Sequence, residues 1–264
     1  MITFGDYIQP KSVDEAYESL ISKKSARLIG GGCFLRMGNR RIGLAIDLSQ
    51  AGLDYIKDAG EEIEIGAMTS LRSFETSELL KEHFGYMIGD SVKHIIGVQL
   101  RNIATIGATV YSKYGFSDPI TALLALDADI CLYQGGRMAL GDFLKEVGHR
   151  RDVLEKIIIK KSNKRGSFQT LRNSQVDYAI LSVAVVDDEK GIRISIGARP
   201  GRAALAIKAM EYINSKGLCE EIASKAGEIA AEELHYGSNN RGSGAYRKEL
   251  SKILVKRALL EVSK

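Results

Sequence analysis

The residues with the clearest chemical potential are three consecutive glycines, Gly30 to Gly32, which directly follow a short strand pattern at 27–29. Because glycine has no Cβ, such a run lets backbone amides come close to an anion, and a phosphate or pyrophosphate is the natural ligand. The two familiar phosphate loops do not match. A Walker A loop would end in Gly-Lys-Ser/Thr, and a GxGxxG motif starting at Gly30 would need glycine where Leu35 stands. A tight turn without a ligand is the alternative interpretation.

A second segment, 101–119, is rich in small and hydroxylated residues and contains RNIATIGATV. We predict that it forms a loop with a short strand and a close glycine approach, so that backbone N–H groups and hydroxyls can wrap a diphosphate. Pro119 suits the first residue of a helix that extends to Leu126. Asp118, directly before it, is either a ligand contact or simply the N-cap of that helix.

Residues for metal, acid–base or nucleophilic chemistry do not cluster. The three cysteines, Cys33, Cys131 and Cys219, are far apart and form no CxxC pair, so we do not expect this chain alone to hold zinc or an iron–sulfur cluster. The four histidines lack metal-ligand spacing. Arg247 and its neighbours in the last helical stretch are expected on a solvated helix face. We therefore expect neither a metal site nor a catalytic side chain.

The composition is that of an ordinary globular protein, with 45% hydrophobic and 27% charged residues among 264. The net charge of +4 is small for this length, and no basic run is interleaved with aromatic residues, so we do not expect nucleic-acid binding. We see no secretion-signal pattern at the N-terminus and no apolar stretch of membrane-spanning length. The odd, sparse cysteine count is typical of a reducing cytoplasm, where we expect the protein to reside.

The order of the predicted elements indicates an α+β chain. A β-α-β unit around the first glycine run, whose helix should begin at the capping-box pattern of Ser12 and Glu15, is followed by two hairpins, at 53–66 and 129–139. After a charged stretch at 160–166, antiparallel strands lie within 168–196, and three helices follow within 203–262. The charged stretch is the best candidate for a domain boundary.

Two separated segments bearing glycine and hydroxyl residues carry a family resemblance. IGGGCFLRMG and RNIATIGATV resemble the Gly-Gly-Thr/His loop and the Arg-Asn-x-x-Thr-Ile-Gly-Gly-Asn segment of the FAD-binding subunits of molybdenum hydroxylases, which include xanthine dehydrogenase and aerobic carbon monoxide dehydrogenase. DPITALLALDADICL, VDYAILSVAV and SGAYRKELSKILVKRAL resemble later parts of the same proteins. The resemblance therefore spans nearly the whole chain, in the right order.

The resemblance implies a particular domain organisation. Residues 1–163 would adopt the two-lobed, PCMH-type α+β flavin fold shared with vanillyl-alcohol oxidase relatives, with lobes at about 1–52 and 53–163. Residues 164–264 would form an α+β C-terminal domain of the carbon monoxide dehydrogenase flavoprotein type, an antiparallel sheet plus helices. FAD would lie extended between the two lobes.

The resemblance also implies which residues contact the cofactor. The first loop would hold the pyrophosphate through its amides, and the second segment would line the diphosphate and the flavin. Asp118 would accept a hydrogen bond from the adenosine ribose, Leu154 would pack near the adenine, and Gln169 would approach the isoalloxazine, where relatives often carry lysine. The implied contacts are Ile29, Gly30, Gly31, Gly32, Cys33, Phe34, Thr105, Gly107, Ala108, Thr109, Ser112, Asp118, Leu154 and Gln169.

This sequence departs from the family pattern at several of these positions. Gly32 replaces the usual threonine or histidine, Ala108 replaces the second glycine of a pair, and Thr109 replaces asparagine. Glutamine in place of lysine at Gln169 would remove a positive charge near the flavin and lower its potential. Ser112 and the tyrosines around it, Tyr111 and Tyr114, follow the second segment, and one ring could shield or stack on the flavin.

The implied function is electron transfer within a larger enzyme. Electrons from a molybdenum centre would arrive through [2Fe–2S] clusters and leave to an acceptor such as NAD⁺, a quinone, ferredoxin or oxygen. Because the chain lacks ligands for molybdopterin and for the clusters, a large molybdopterin-binding subunit and a small iron–sulfur subunit would be its partners. Two alternatives are a stand-alone flavin oxidase on the same fold and a flavin-free assembly scaffold.

Overall fold

The structure is a computed structural model that describes residues 1–148, 150–161 and 165–263. Its mixture of helices and sheets confirms the predicted α+β class. Within these residues the strands are β1 Thr3–Phe4, β2 Tyr7–Ile8, β3 Ala26–Ile29, β4 Arg41–Ile42, β5 Leu44–Asp47, β6 Ile56–Asp58, β7 Glu62–Gly66, β8 Asp129–Leu132, β9 Gly136–Ala139, β10 Leu154–Lys160, β11 Arg165–Arg172, β12 Ala179–Asp188, β13 Gly191–Gly197 and β14 Ala204–Leu205. The helices are α1 Val13–Ser22, α2 Leu71–Thr76, α3 Glu78–Phe84, α4 Met87–Val92, α5 Val98–Arg101, α6 Ile106–Tyr111, α7 Asp118–Ala125, α8 Leu140–Lys145, α9 Ile207–Lys216, α10 Glu220–Glu233 and α11 Gly244–Val262.

The N-terminal part forms a small parallel sheet in the order β2-β5-β3, with α1 connecting β2 to β3. Ser12 caps α1 as predicted, because its hydroxyl accepts from the Glu15 amide at 3.2 Å. Glu15 completes the turn by accepting from the Lys11 amide at 2.8 Å. Since β3 ends at Ile29, the glycine run leaves the sheet at the carboxyl end of a parallel strand, where open α/β sheets commonly present a binding crevice.

A second, antiparallel sheet in the order β6-β7-β10-β8-β9 contains both predicted hairpins. Its central strand, β10, pairs with β7 on one side and with β8 on the other. Ile157 and Ile159 on β10 are fully buried, and the eight residues of α7 are all buried. This tightly packed body supports one wall of the site described below.

The C-terminal part is an antiparallel sheet in the order β11-β12-β13-β14, accompanied by α9, α10 and α11. The helix that we predicted from residue 203 begins later, at Ile207. Ala204 and Leu205 instead pair with β13, where Ser195 lies opposite Leu205. The helical periodicity of this segment is overridden because the backbone N–H and C=O groups at the edge of β13 need hydrogen-bond partners, which Ala204 and Leu205 supply as a strand.

Two hydrophobic cores meet at β12. Ala184 and Val186 belong to the core of the first part of the chain, whereas Val183 and Val185 belong to the core formed with the C-terminal helices. Because successive side chains of a strand point to opposite faces, β12 is buried on both sides. The charged stretch predicted as a boundary falls partly on 162–164, outside the described residues. Among the described helices, none combines the length and the apolar character needed to cross a membrane.

Arg247 corrects the expectation of a solvated face on the last helix, because its side chain is fully buried. Its guanidinium donates to the carbonyl oxygens of Ile180 and Gly237, each at 2.8 Å, and to the Asn239 side chain at 2.6 Å. These bonds fix the 237–243 loop against β12. Hydrogen-bond acceptors that are distant in the chain leave no local sequence pattern. Helical periodicity alone therefore predicted that Arg247 would be exposed to solvent.

We expect the substitution Arg247→Met to lower the free energy of unfolding by about 3 kcal/mol, since it strands several buried carbonyl oxygens. Lys248→Met on the same helix is the matched control, because Lys248 pairs only with exposed Glu232, and it should cost less than about 0.5 kcal/mol. Urea unfolding of both variants measures the difference. Equal costs would show that the buried network contributes nothing particular.

Candidate cofactor-binding site

A cavity of about 680 Å³ lies where the glycine run after β3, the α5–α6 segment, the start of α7 and the end of β11 meet. This volume is in the range of pockets that hold cofactor-sized ligands. Most of the residues that the sequence singled out line it together. They are Ile29, Gly30, Gly32, Cys33, Phe34, Thr105, Gly107, Ala108, Thr109, Ser112, Asp118 and Leu154.

The first loop has a backbone that only glycine adopts readily. Gly31 and Gly32 have φ values of +54° and +67°, in the left-handed region. The Gly32 amide closes a tight turn on the Gly30 carbonyl oxygen at 2.5 Å. Within the described residues the amides of Gly31 and Phe34 donate to no protein group. The loop therefore offers backbone donors that the protein itself leaves unused.

The two predicted segments pack directly against each other. A Cβ placed on Gly30 would lie 2.7 Å from Thr105 Oγ1, and one placed on Gly31 would lie 2.0 Å from the Ile103 carbonyl oxygen. Both distances are too short for real side chains. The absence of side chains at these two glycines is thus what allows segments about seventy residues apart in the chain to form one continuous wall.

The second segment differs from the loop and strand that we predicted. Thr105 caps α6 by accepting from the Ala108 amide at 3.4 Å, and α5 immediately precedes it. The amides of Ile106 and Gly107 donate to the carbonyl oxygens of Thr69 and Ala67, both at 2.9 Å. These amides are consumed within the protein, so the segment offers hydroxyls and small side chains to the cavity in place of the backbone donors that we expected.

Asp118 is the first residue of α7, and Ser117 is the N-cap, so the cap interpretation of Asp118 is wrong. The Asp118 carboxylate is buried and forms an ion pair with Arg172 at the end of β11. Burial raises the pKa of Asp118, and the adjacent guanidinium opposes that rise. Its second oxygen, Oδ1, is buried without a hydrogen-bond partner in the described structure. A buried carboxylate oxygen of this kind is a ready acceptor for a ligand hydroxyl.

Gln169 is not brought to the cavity. Its amide nitrogen donates to Glu261 Oε2 of α11 at 2.5 Å and lies 3.4 Å from the Ser167 hydroxyl. The expectation that Gln169 approaches the flavin is therefore corrected. Side chains alternate along β11, and the wall is instead formed where that strand ends, by Arg172 and the following residues Val176, Asp177 and Tyr178.

An aromatic group at the cavity mouth extends beyond the rings that the sequence singled out. Phe116 stacks on Tyr114, with ring centroids 4.9 Å apart, and contacts Phe34 at 5.4 Å and Tyr178 at 4.6 Å. Three of these rings are partly exposed, at 37 to 42%. Tyr111 lies deeper and donates to the Arg150 carbonyl oxygen. Phe116 lies within the second segment but carries no pattern that sets it apart there, and Tyr178 was missed because it is distant in sequence from both glycine-bearing segments.

Two titratable groups in the cavity wall are expected to stay uncharged near neutral pH. Burial raises the pKa of the Cys33 thiol, with Arg36 acting in the opposite direction. Burial, together with Arg172, lowers the pKa of His94. Across the described residues, no group of three or more histidines, cysteines, aspartates and glutamates lies close enough to hold a metal ion. The wall is therefore suited to binding rather than to acid–base chemistry.

Comparison with known families identifies the family of the chain. Residues 2–161 match the family described as the FAD binding domain in molybdopterin dehydrogenase. The chain belongs to this family. Residues 166–262 match a second family, the carbon monoxide dehydrogenase flavoprotein C-terminal domain. FAD is therefore the cofactor of this oxidoreductase subunit, and the resemblance read from the two glycine-bearing segments is confirmed.

Individual relatives match over almost their full lengths. The nicotine 6-hydroxylase medium subunit of Paenarthrobacter nicotinovorans is 26% identical, over 97% of this chain and 96% of its own. The glyceraldehyde dehydrogenase medium chain of Sulfolobus acidocaldarius is 24% identical, over 97% and 98%. A carbon monoxide dehydrogenase chain from Hydrogenophaga pseudoflava has the same fold, with a TM-score of 0.89 at 24% identity over 98% of this chain and 96% of that one.

The glycine run gives a prediction about stability. Ala in place of Gly31 would combine a left-handed φ with an overlap on the Ile103 backbone, whereas Ala in place of Gly32 would meet only Ile29 Cγ2 at 3.7 Å. We expect Gly32→Ala to cost about 1 kcal/mol of unfolding free energy, from its φ alone. Gly31→Ala should cost at least about 2 kcal/mol more than that, since backbone must move. Urea denaturation of the two variants compares them, and equal costs would rule out the close packing.

Proposed function

We propose that this chain is the FAD-carrying subunit of a multi-subunit molybdenum hydroxylase, and that it relays electrons from the [2Fe–2S] clusters of a partner subunit to an external acceptor such as NAD. The observation that carries this proposal is the convergence of the first glycine loop and the α5–α6 segment on one cavity of cofactor size. The matching family and the names of its members point to the same role.

The described residues fit FAD by four features. Gly30 and Gly31 let the first loop pack against the 103–108 chain, and the unpaired amide of Phe34, which lines the cavity, suits an anionic diphosphate. Thr109 and Ser112 add hydroxyl donors to the same wall. Asp118 presents an unpartnered buried oxygen for a ribose hydroxyl. Leu154, buried on β10, supplies an apolar surface for the adenine.

When bound, FAD supplies the ability to accept two electrons and to exchange them one at a time. The chain itself would hold and orient the cofactor and shield it from water. Its first loop would fix the diphosphate, and the aromatic group of Phe34, Tyr114, Phe116 and Tyr178 would limit access of water at the cavity mouth. No side chain of the wall has to move a proton for electron transfer, which agrees with the neutral state favoured for Cys33 and His94.

The domain organisation, partners and location belong to the same proposal. Residues 1–163, with lobes at about 1–52 and 53–163, would carry most of the FAD site, and residues 164–264 would form the C-terminal domain. A molybdopterin-binding large subunit and a [2Fe–2S] small subunit would complete the enzyme, in the cytoplasm. The description of two relatives as a medium subunit and a medium chain supports such an assembly.

A flavin-free scaffold is the competing function, because Gly32 and Ala108 depart from the family pattern. The geometry argues against it. The Ala108 methyl lies 3.4 Å from a Cβ placed on Gly30, so it lines the wall, yet a cavity of about 680 Å³ remains. Gly32 loses a side-chain donor, and the backbone donors of its loop remain.

Absorption spectroscopy of the purified chain tests the proposal, with Ala108 as the probe position. Wild type and Ala108→Gly should carry FAD, identified after release by chromatography, since glycine only removes a methyl group. Ala108→Phe should weaken FAD binding at least about tenfold, because its ring would occupy the cavity. Unfolding midpoints of the three proteins control for folding. A folded Ala108→Phe variant with wild-type affinity, or a colourless wild type that does not bind added FAD, would contradict the proposal.

A further inference from the structure

The wall of the FAD cavity contains a charged pair that joins the two parts of the chain. Asp118 opens α7, next to the α6 segment, and Arg172 closes β11 of the C-terminal sheet. Their side chains are only 4% and 7% exposed, and both line the cavity. Since a buried ion pair loses much of its hydration energy, its retention needs a reason beyond stability.

Each partner keeps one unpaired polar atom. The Arg172 guanidinium donates from Nη2 to Asp118 Oδ2 and from Nη1 to the Asp177 carbonyl oxygen at 2.6 Å. Asp118 Oδ1 and Arg172 Nε are both buried without a hydrogen-bond partner in the described structure. Buried polar atoms are rarely left unpaired in folded proteins, so these two atoms, on side chains that line the cavity, are available to a further group. The Ser182 hydroxyl, which lowers the pKa of Asp118 against the effect of burial, is the protein group near this carboxylate that is likewise unpaired.

Arg172 is itself held in place by its surroundings. It sits at a register shift at the end of β11, where it lies opposite Ala179. Asp177, whose carbonyl oxygen accepts from Arg172, also forms a salt bridge with Arg241, from Nη2 to Oδ1 at 2.8 Å. The Arg241 guanidinium lies over the Tyr178 ring. The guanidinium of Arg172 therefore has little freedom, and it engages Oδ2 of Asp118 while Oδ1 stays unpaired.

We propose that Arg172 is a positioning residue for the cofactor: by engaging Oδ2 of Asp118 it orients the carboxylate so that Oδ1 can accept a hydrogen bond from a hydroxyl of FAD. This inference rests on the proposed function. It makes the C-terminal part of the chain a contributor to cofactor affinity, through a side chain that acts on another side chain.

The charged surroundings of Asp118 are simple enough for a pH test. Arg172 is the charged group that acts on Asp118 from β11, and its effect opposes that of burial on the Asp118 pKa. From the segment just after α4, the titratable group in the same cavity wall is His94, whose pKa is lowered in part by Arg172. β12 contributes the uncharged hydroxyl of Ser182. Without Arg172, burial acts unopposed, so the Asp118 pKa rises and the carboxylate is lost as pH falls.

The test measures the dissociation constant of FAD for the full chain, freed of flavin, between about pH 5.5 and 8.5, by quenching of flavin fluorescence. Arg172→Met should weaken binding about tenfold at neutral pH and progressively more as pH falls. Arg172→Lys keeps the charge and should retain the wild-type pH profile with a smaller loss. Asp118→Asn should weaken binding without dependence on pH in this range.

Arg193→Met is the matched control. Arg193 of β13 pairs at 2.8 Å with Asp127, just beyond the opposite end of α7, away from the cavity. It should leave FAD affinity unchanged. The inference would be overturned if Arg172→Met had the unfolding midpoint of wild type and kept its FAD dissociation constant and pH profile. The proposed function would then still stand. Equal, pH-independent losses in Arg172→Met and Arg172→Lys would also overturn it. Failure of wild type to bind FAD would overturn both.

Discussion

The site depends on one close contact between backbones. Gly30 and Gly31 lie so near the chain at 103–108 that neither has space for a Cβ. This contact joins the carboxyl end of a parallel strand to the N-terminus of α6, and the cavity opens beside the joint. Any side chain there would push the two walls apart. The requirement for glycine is therefore steric at Gly30, and both steric and conformational at Gly31, whose φ is +54°.

The C-terminal part of the chain completes the cavity as well as packing against it. β12 is buried on both faces and belongs to two hydrophobic cores, so the two parts share a continuous interior. From the same sheet, Arg172 reaches the first residue of α7, and Tyr178 joins the aromatic group at the cavity mouth. A rigid shared interior is a suitable support for a cofactor whose surroundings must not rearrange during electron transfer.

Local patterns in the sequence predicted much of the fold, and most of the residues that they singled out line one cavity. The hairpins, the helix capped by Ser12 and the two glycine-bearing segments followed from turn chemistry, capping and periodicity. What failed depended on distant partners. α6 was hidden because its amides pair with residues 67 and 69, Gln169 turned toward Glu261, and Arg247 was buried by acceptors from several loops. No pattern in the sequence indicates a role for Arg172, because its contact with Asp118 exists only once β11 lies beside α7.

Hydrogen exchange of backbone amides, measured by mass spectrometry during an FAD titration of the full chain, tests most directly whether one ligand is held by both segments. The account predicts that the peptide covering residues 30–34 gains protection, because the Gly31 and Phe34 amides are unpaired in the structure. Most amides of 105–112 are already paired within the protein. Peptides covering them should gain further protection at the same FAD concentration, because a ligand bound to this wall suppresses the local opening through which they exchange. Protection of only one segment, or of neither at saturating FAD, would contradict the account.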